Sequence, residues 1–204
     1  MITGHFSKVD GTEEILLQNF DKMFALTGNI PLGTYECPAP YKRILSADVF
    51  RQLLASHRFV YHKDTSILLD SVRAKIEIAK GSNLEFYDAH TPNAMAALQM
   101  GAKGMSSISG NFYPEILVWI CENALDPARQ EDVAWIQAEL TEVDPIIHQA
   151  YPMSAKYFLQ KRGLPVRTIS RTYALELTPQ QKQTLDEIHT RFLGWCERLG
   201  IKPV

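Results

Sequence analysis

The chain has 204 residues, 46% of them hydrophobic and 22% charged, with a formal net charge of -2. That composition supports a sizeable globular core, and the scattering of Lys and Arg argues against a nucleic-acid or membrane-surface partner. Cys37, Cys121 and Cys196 form no Cys-x-x-Cys pair, so neither a zinc site nor a disulfide framework is indicated and a reducing cytoplasm fits best; the start Met1-Ile2-Thr3-Gly4-His5 lacks the pattern of a signal peptide, and no run of ~18 apolar residues suggests a membrane span.

Short β-like runs alternate with longer helical patterns, which predicts an α/β fold with a parallel sheet. A helix follows Asp10-Gly11-Thr12, with Glu13 and Glu14 suited to its positive end and Ile15, Leu16, Phe20, Met23 and Phe24 at helical spacing. Ile30 to Cys37 reads as a strand running into Pro38-Ala39-Pro40. A helix starts near Ser46, and Phe59-Val60-Tyr61-His62-Lys63 has the β-branched and aromatic content of a strand.

The next helix is predicted from about Ser66 to Ala79, with Leu68, Leu69, Val72 and Ile76 inward. Leu84 to Asp88 reads as a strand, Thr91-Pro92 opens a helix with Pro in its first turn, and Gly104 to Ser109 reads as a further short strand before the helix opened by Pro114. From Asp126-Pro127 onward helical periodicity dominates. Gly163 to Glu176 is an irregular connection, and Thr178, Pro179 and Gln181 form a helix-start signature ahead of the stripe Leu185, Ile188, Phe192, Trp195 and Leu199. The division is therefore residues 1–125 as β/α units and 126–204 as a helical domain. The chain is short of the ~250 residues of a complete eight-unit barrel.

Lys63 is the first candidate for chemistry. It ends a strand, and in parallel α/β folds that end faces the active site. Burial disfavours an ammonium, and a free amine can attack a ketone and form an imine that serves as an electron sink. Taken alone, a lysine at a strand end is more often solvated. Tyr35 also ends a strand and could relay protons; the alternative is a core tyrosine. The small stretch Gly101 to Asn111 could approach a ligand through its backbone or simply make a tight connection. His5, His62 and His90 fall near strand ends without metal spacing and read as pocket-edge histidines, and Asp88 reads as a surface carboxylate.

Taken together these residues resemble the dihydrodipicolinate synthase / N-acetylneuraminate lyase family of class I Schiff-base aldolases. Tyr35-Glu36-Cys37-Pro38 is similar to that family's Tyr-Asn-x-Pro motif, and Lys63-Asp64-Thr65-Ser66 to its strand-ending lysine followed by acidic and small hydroxyl residues. Gly104-Met105-Ser106-Ser107-Ile108-Ser109-Gly110-Asn111 is similar to its Gly-Val-Ile-Ser-Val-x-x-Asn segment.

The resemblance implies a partial (β/α)8 barrel of about the last five β/α units, with strands near Ile2, Leu32, Val60, Phe86 and Met105, followed by a C-terminal helical domain. The family's first three units, with its Gly-x-x-Gly-Glu loop and threonine pair, have no counterpart in this chain. It further implies a carbon–carbon lyase or aldolase acting on pyruvate or a related 2-oxo acid. Lys63 would be the nucleophile and Tyr35 the proton relay, with Ser106, Ser107 and Ile108 lining the pocket floor. No metal or other cofactor is required, because the lysine supplies the electron sink, and a homo-oligomer (dimer or tetramer) is implied. Pro40 stands where some members carry a carboxylate-binding arginine, and Lys42 or Arg43 could replace it only on a different loop path. Glu36 is unusual beside an acidic substrate. Both departures point to a divergent lyase. The competing reading is a non-catalytic, small-ligand-binding remnant of the family.

Overall fold

The computed structural model describes residues 1–171 and 176–203. It divides into two compact units, Met1–Ser106 and Ser107–Val204.

The first unit holds four helices, α1 (Glu13–Thr27), α2 (Ala47–Ala55), α3 (Leu69–Ala79) and α4 (Ala94–Met100), and four strands, β1 (Leu32–Tyr35), β2 (Phe59–Asp64), β3 (Glu85–Asp88) and β4 (Gly104–Met105). The strands pair in parallel in the order β1-β2-β3-β4. Each parallel step needs a crossover, and the helices supply it. The strand predicted near Ile2 is only a single parallel bridge from Ile2 to Tyr35, followed by a one-turn 3-10 helix, Thr3–His5. The strand predicted from Gly104 to Ser109 stops at Met105, because Ile108–Asn111 curls into another 3-10 helix.

The sequence sets these boundaries locally. Thr12 Oγ1 accepts the Ile15 N–H at 3.3 Å to start α1, and Ser46 Oγ accepts the Val49 N–H at 3.2 Å to start α2. Each such cap is worth about 1 kcal/mol. The predicted helix from Ser66 begins only at Leu69, because Ser66 turns its N–H and hydroxyl back onto Asp64. One face of the sheet packs on the helices through Phe59 and Phe86, meeting Leu16, Phe20, Val49, Phe50, Val72 and Ile76 in a single buried cluster.

In the second unit, α5 (Pro114–Asn123), α6 (Gln130–Ile147), α7 (Met153–Lys161) and α8 (Pro179–Leu199) are all helical. The capping box at α8 forms in both directions: Gln181 N–H donates to Thr178 Oγ1 at 3.2 Å and Thr178 N–H to Gln181 Oε1 at 2.9 Å. The predicted stripe of α8 is buried, with Phe192 and Trp195 packed on Tyr113. Of the connection predicted as irregular, residues 163–171 are non-helical and 172–175 lie outside the described residues. Among the described residues, no helix is long and apolar enough to cross a membrane.

Candidate functional site

Strand alternation sends successive side chains to opposite faces of a sheet, and parallel register decides which of them become neighbours. Here Tyr35 is level with Lys63 and Lys63 with Tyr87, while Tyr87 is level with Gly104. These residues share the face turned away from the helices, together with Gly33, Tyr61 and Ser106. At Gly33 a Cβ would sit tightly against Tyr61, 3.1 Å from its Cβ and 3.2 Å from its ring. Tyr61 stacks at a tilt on Tyr87, centroids 5.0 Å apart, and its hydroxyl reaches Ser106 Oγ at 3.4 Å.

Lys63 Nζ lies 4.4 Å from the centre of the Tyr35 ring. The amine is half-buried, and burial draws it below the usual lysine range, with the electrostatic influence of the nearby Cys37 pulling the other way. Among the described residues, no carboxylate forms an ion pair with it. An amine so placed loses its proton more readily than a surface lysine, which is the condition for attack on a carbonyl carbon. Ser106 closes the first unit on this face. Ser107 and Ile108 open the second unit, where the buried Ser107 hydroxyl has no hydrogen-bond partner among the described residues and Ile108 begins a 3-10 turn. The Pro-rich loop after Tyr35 is tied down by Lys42, whose Nζ donates to the Thr65 carbonyl at 2.7 Å; the Arg43 carbonyl accepts from Thr3 Oγ1 at 2.6 Å. A cleft of about 770 Å³ between the loop from Gly4 to Thr12 and Tyr41 does not include Lys63 or Tyr35.

The opposite face carries a second set of polar groups that pattern reading did not find. Thr34, Glu36, His62, Asp64 and Asp88 are all buried there. Lys75, from α3, donates to Glu36 Oε1 and Asp64 Oδ2, both at 2.6 Å. Glu36 also accepts the N–H groups of Leu45 at 2.9 Å and Thr65 at 3.0 Å. His62 Nδ1 meets Thr34 Oγ1 at 2.8 Å. Its Nε2 is buried without a hydrogen bond, 3.6 Å from Glu36 and 3.7 Å from Asp64.

Burial is the largest influence on Asp64 and pushes its carboxyl up, yet the His62 ring, the Lys75 ammonium and Ser66 together hold it well below the ordinary carboxylate range. Asp88 lacks such a cation. Burial raises it to about 6, only partly offset by bonds from the His90 N–H at 2.8 Å and Asn93 at 3.2 Å.

Three sequence readings are therefore corrected. His62 is not at a pocket edge but sealed behind the sheet, Asp88 is not a surface carboxylate, and Glu36 faces away from Lys63 and Tyr35. A signal for this layer existed: Lys75 falls in the inward stripe of Val72, Ile76 and Ala79 on α3.

Four parallel strands joined by helices, with Tyr35 and Lys63 level at adjacent strand ends, define a protein of the parallel α/β class. Residues 3–191 match the model of the dihydrodipicolinate synthetase family, and the chain belongs to that family. Its fold is similar to that of YagE, a prophage protein of the dihydrodipicolinic acid synthase family from E. coli K12 solved in complex with pyruvate (TM-score 0.76, 21% identity, covering 91% of this chain and 63% of that one). It is also similar to the 4-hydroxy-tetrahydrodipicolinate synthase of Methylacidiphilum fumariolicum SolV (TM-score 0.79, 18% identity, 95% and 64%). A third is the chloride-inhibited dihydrodipicolinate synthase of Acinetobacter baumannii, complexed with pyruvate (TM-score 0.72, 22% identity, 96% and 64%). The chain spans less than two thirds of the length of these relatives. A search of curated protein sequences gives no match.

Proposed function

We propose that this chain carries the imine-forming residues of a carbon–carbon lyase or aldolase acting on pyruvate or a related 2-oxo acid. The observation that supports this most directly is the half-buried Lys63 amine, free of any carboxylate partner among the described residues and seated over the Tyr35 ring. Lys63 Nζ adds to the C2 carbonyl of the 2-oxo acid, and the carbonyl oxygen takes up a proton to give a carbinolamine. Loss of water leaves an imine protonated on nitrogen, which withdraws electrons from the bond beside it. Tyr35 passes the proton between the attacking nitrogen and the departing oxygen. Ser106 contributes to the floor on which the acid rests. Two of the structural relatives are described as complexes with pyruvate, which agrees with that substrate class.

The test is to incubate the protein with pyruvate and borohydride and map the adduct by mass spectrometry. Lys63 is expected to become a stable N-carboxyethyl lysine, and Lys63→Met to abolish labelling. Because burial lowers the amine's pKa, the trapping rate should rise with pH to a midpoint below that of a free lysine. Pyruvate labelling spread over surface lysines, with Lys63 unmodified, would return the chain to the alternative of a non-catalytic ligand-binding remnant.

A further inference from the structure

Glu36, His62 and Asp64 have the make-up of a buried metal site, with one ligand atom from each lying within 4.8 Å of the others. The place of the cation is nonetheless filled. Lys75 Nζ sits 2.6 Å from a carboxylate oxygen of each acid, and all four side chains are essentially sealed from solvent. This amine bridges two strands. Glu36 directly follows Tyr35 on β1, and Asp64 directly follows Lys63 on β2. Thr65 adds two further ties between the same strand ends, from its N–H and its hydroxyl to Glu36, and the Glu36 N–H donates to the Lys63 carbonyl at 3.2 Å.

We propose that Lys75 is a positioning residue for the reaction: its buried ammonium is the built-in cation of the Glu36–His62–Asp64 cluster, and it clamps the ends of β1 and β2 from behind so that Tyr35 and Lys63 stay in register. This rests on the function proposed for Lys63. The clamp acts through geometry. A side chain on one face of a strand shares its backbone with its neighbour on the other, so loosening Glu36 and Asp64 loosens Tyr35 and Lys63. Displacements of about 1 Å at a reacting group cost up to ~10²-fold in rate.

The experiment compares wild type with Lys75→Met and with the uncharged, near-isosteric variant Glu36→Gln/Asp64→Asn/Lys75→Met. Removing Lys75 alone strands two buried carboxylates and is expected to lower the melting temperature. The triple variant removes the charges with their counter-ion and is expected to recover most of it. Trapping by pyruvate and borohydride should remain about tenfold slow at saturating pyruvate in the triple variant, with half-saturation shifted less than about twofold. Recovery of stability without recovery of rate separates positioning from mere support of the fold. Wild-type trapping by the triple variant would overturn the proposal.

A second readout needs no pyruvate. The rate at which acetic anhydride labels Lys63 should rise several-fold in the triple variant as the amine leaves the Tyr35 ring, and an unchanged rate overturns the clamp. If wild-type Lys63 fails to trap pyruvate at all, the proposed function falls while this labelling still judges the clamp.

Discussion

Lys63 and Lys75 belong to opposite faces of the same sheet, and the comparison separates two uses of a lysine. Lys75 is the more deeply buried, yet its amine is engaged by two carboxylates and is not free to attack anything. Lys63 is only half-buried, but its neighbour is an aromatic face rather than an acid. Burial by itself therefore does not make a nucleophile. The layer behind the sheet tolerates charge because nearly every group there has a partner. The open face keeps one amine unpaired, which weakens its hold on a proton. Alternation along β1 and β2 produces both environments from adjacent residues: Tyr35 beside Glu36, Lys63 beside Asp64.

Substitutions that cross this division should affect different quantities. After Lys63 itself, the largest effect is expected from Tyr35→Phe. The ring and its packing against Lys63 survive, and only the hydroxyl is lost. Imine formation should slow by about 10²-fold, in the range for loss of a proton relay, while stability changes by less than about 1 kcal/mol. Stopped-flow trapping alongside thermal melts checks both, and an unaltered rate would remove Tyr35 from the mechanism.

Asp88→Asn tests the rear layer, and here the sign follows from the raised carboxyl. A folded-state pKa of about 6 lies above the unfolded value of 3.8, so ionised Asp88 opposes folding above pH 6, and that penalty disappears as pH falls through 6 toward 4. Asparagine cannot ionise. It should stabilise the protein at pH 8 by about 3 kcal/mol, with the gain vanishing near pH 4. Urea unfolding at a series of pH values measures it, and a gain that is independent of pH would mean that Asp88 is not ionising in place.

Much of this architecture could be read from local signals. The aromatic and β-branched run from Phe59 to Lys63 marks a strand. The motifs around Tyr35, Lys63 and Gly104 mark the family, and Thr178 with Gln181 marks the start of the last helix. The strand expected at Ile2 is reduced to a single parallel bridge, because the chain turns into a 3-10 helix at Thr3 directly after Met1 and Ile2 meet β1. The rear layer was hidden for a different reason. Glu36 and Lys75 are 39 positions apart, and their contact depends on both strand register and the seating of α3 on the sheet, neither of which leaves a local mark. Asp88 reads as a surface carboxylate and His62 as a pocket-edge histidine because such residues are seldom sealed, whereas the parity of Phe86 carries Asp88 inward and the register sets His62 level with Thr34 and Phe86.

The smallest effect is expected from Thr34→Val, and it is the most selective probe of the division between faces. Thr34 Oγ1 meets His62 Nδ1 at 2.8 Å in a sealed site, and the other ring nitrogen already lacks a hydrogen bond. Valine keeps the shape and removes the hydroxyl, so Nδ1 loses its partner, at a cost of about 1 kcal/mol. Serine retains the hydroxyl and should cost less. Thr34 is not among the ligands of Lys75, so its loss leaves the ties between Glu36, Asp64 and Lys75 in place. Pyruvate trapping by Thr34→Val should therefore keep its wild-type rate and pH midpoint while the melting temperature drops. A slowed trap in this variant would mean that any disturbance behind the sheet reaches Lys63, and the distinction between a general support layer and a dedicated clamp would be lost.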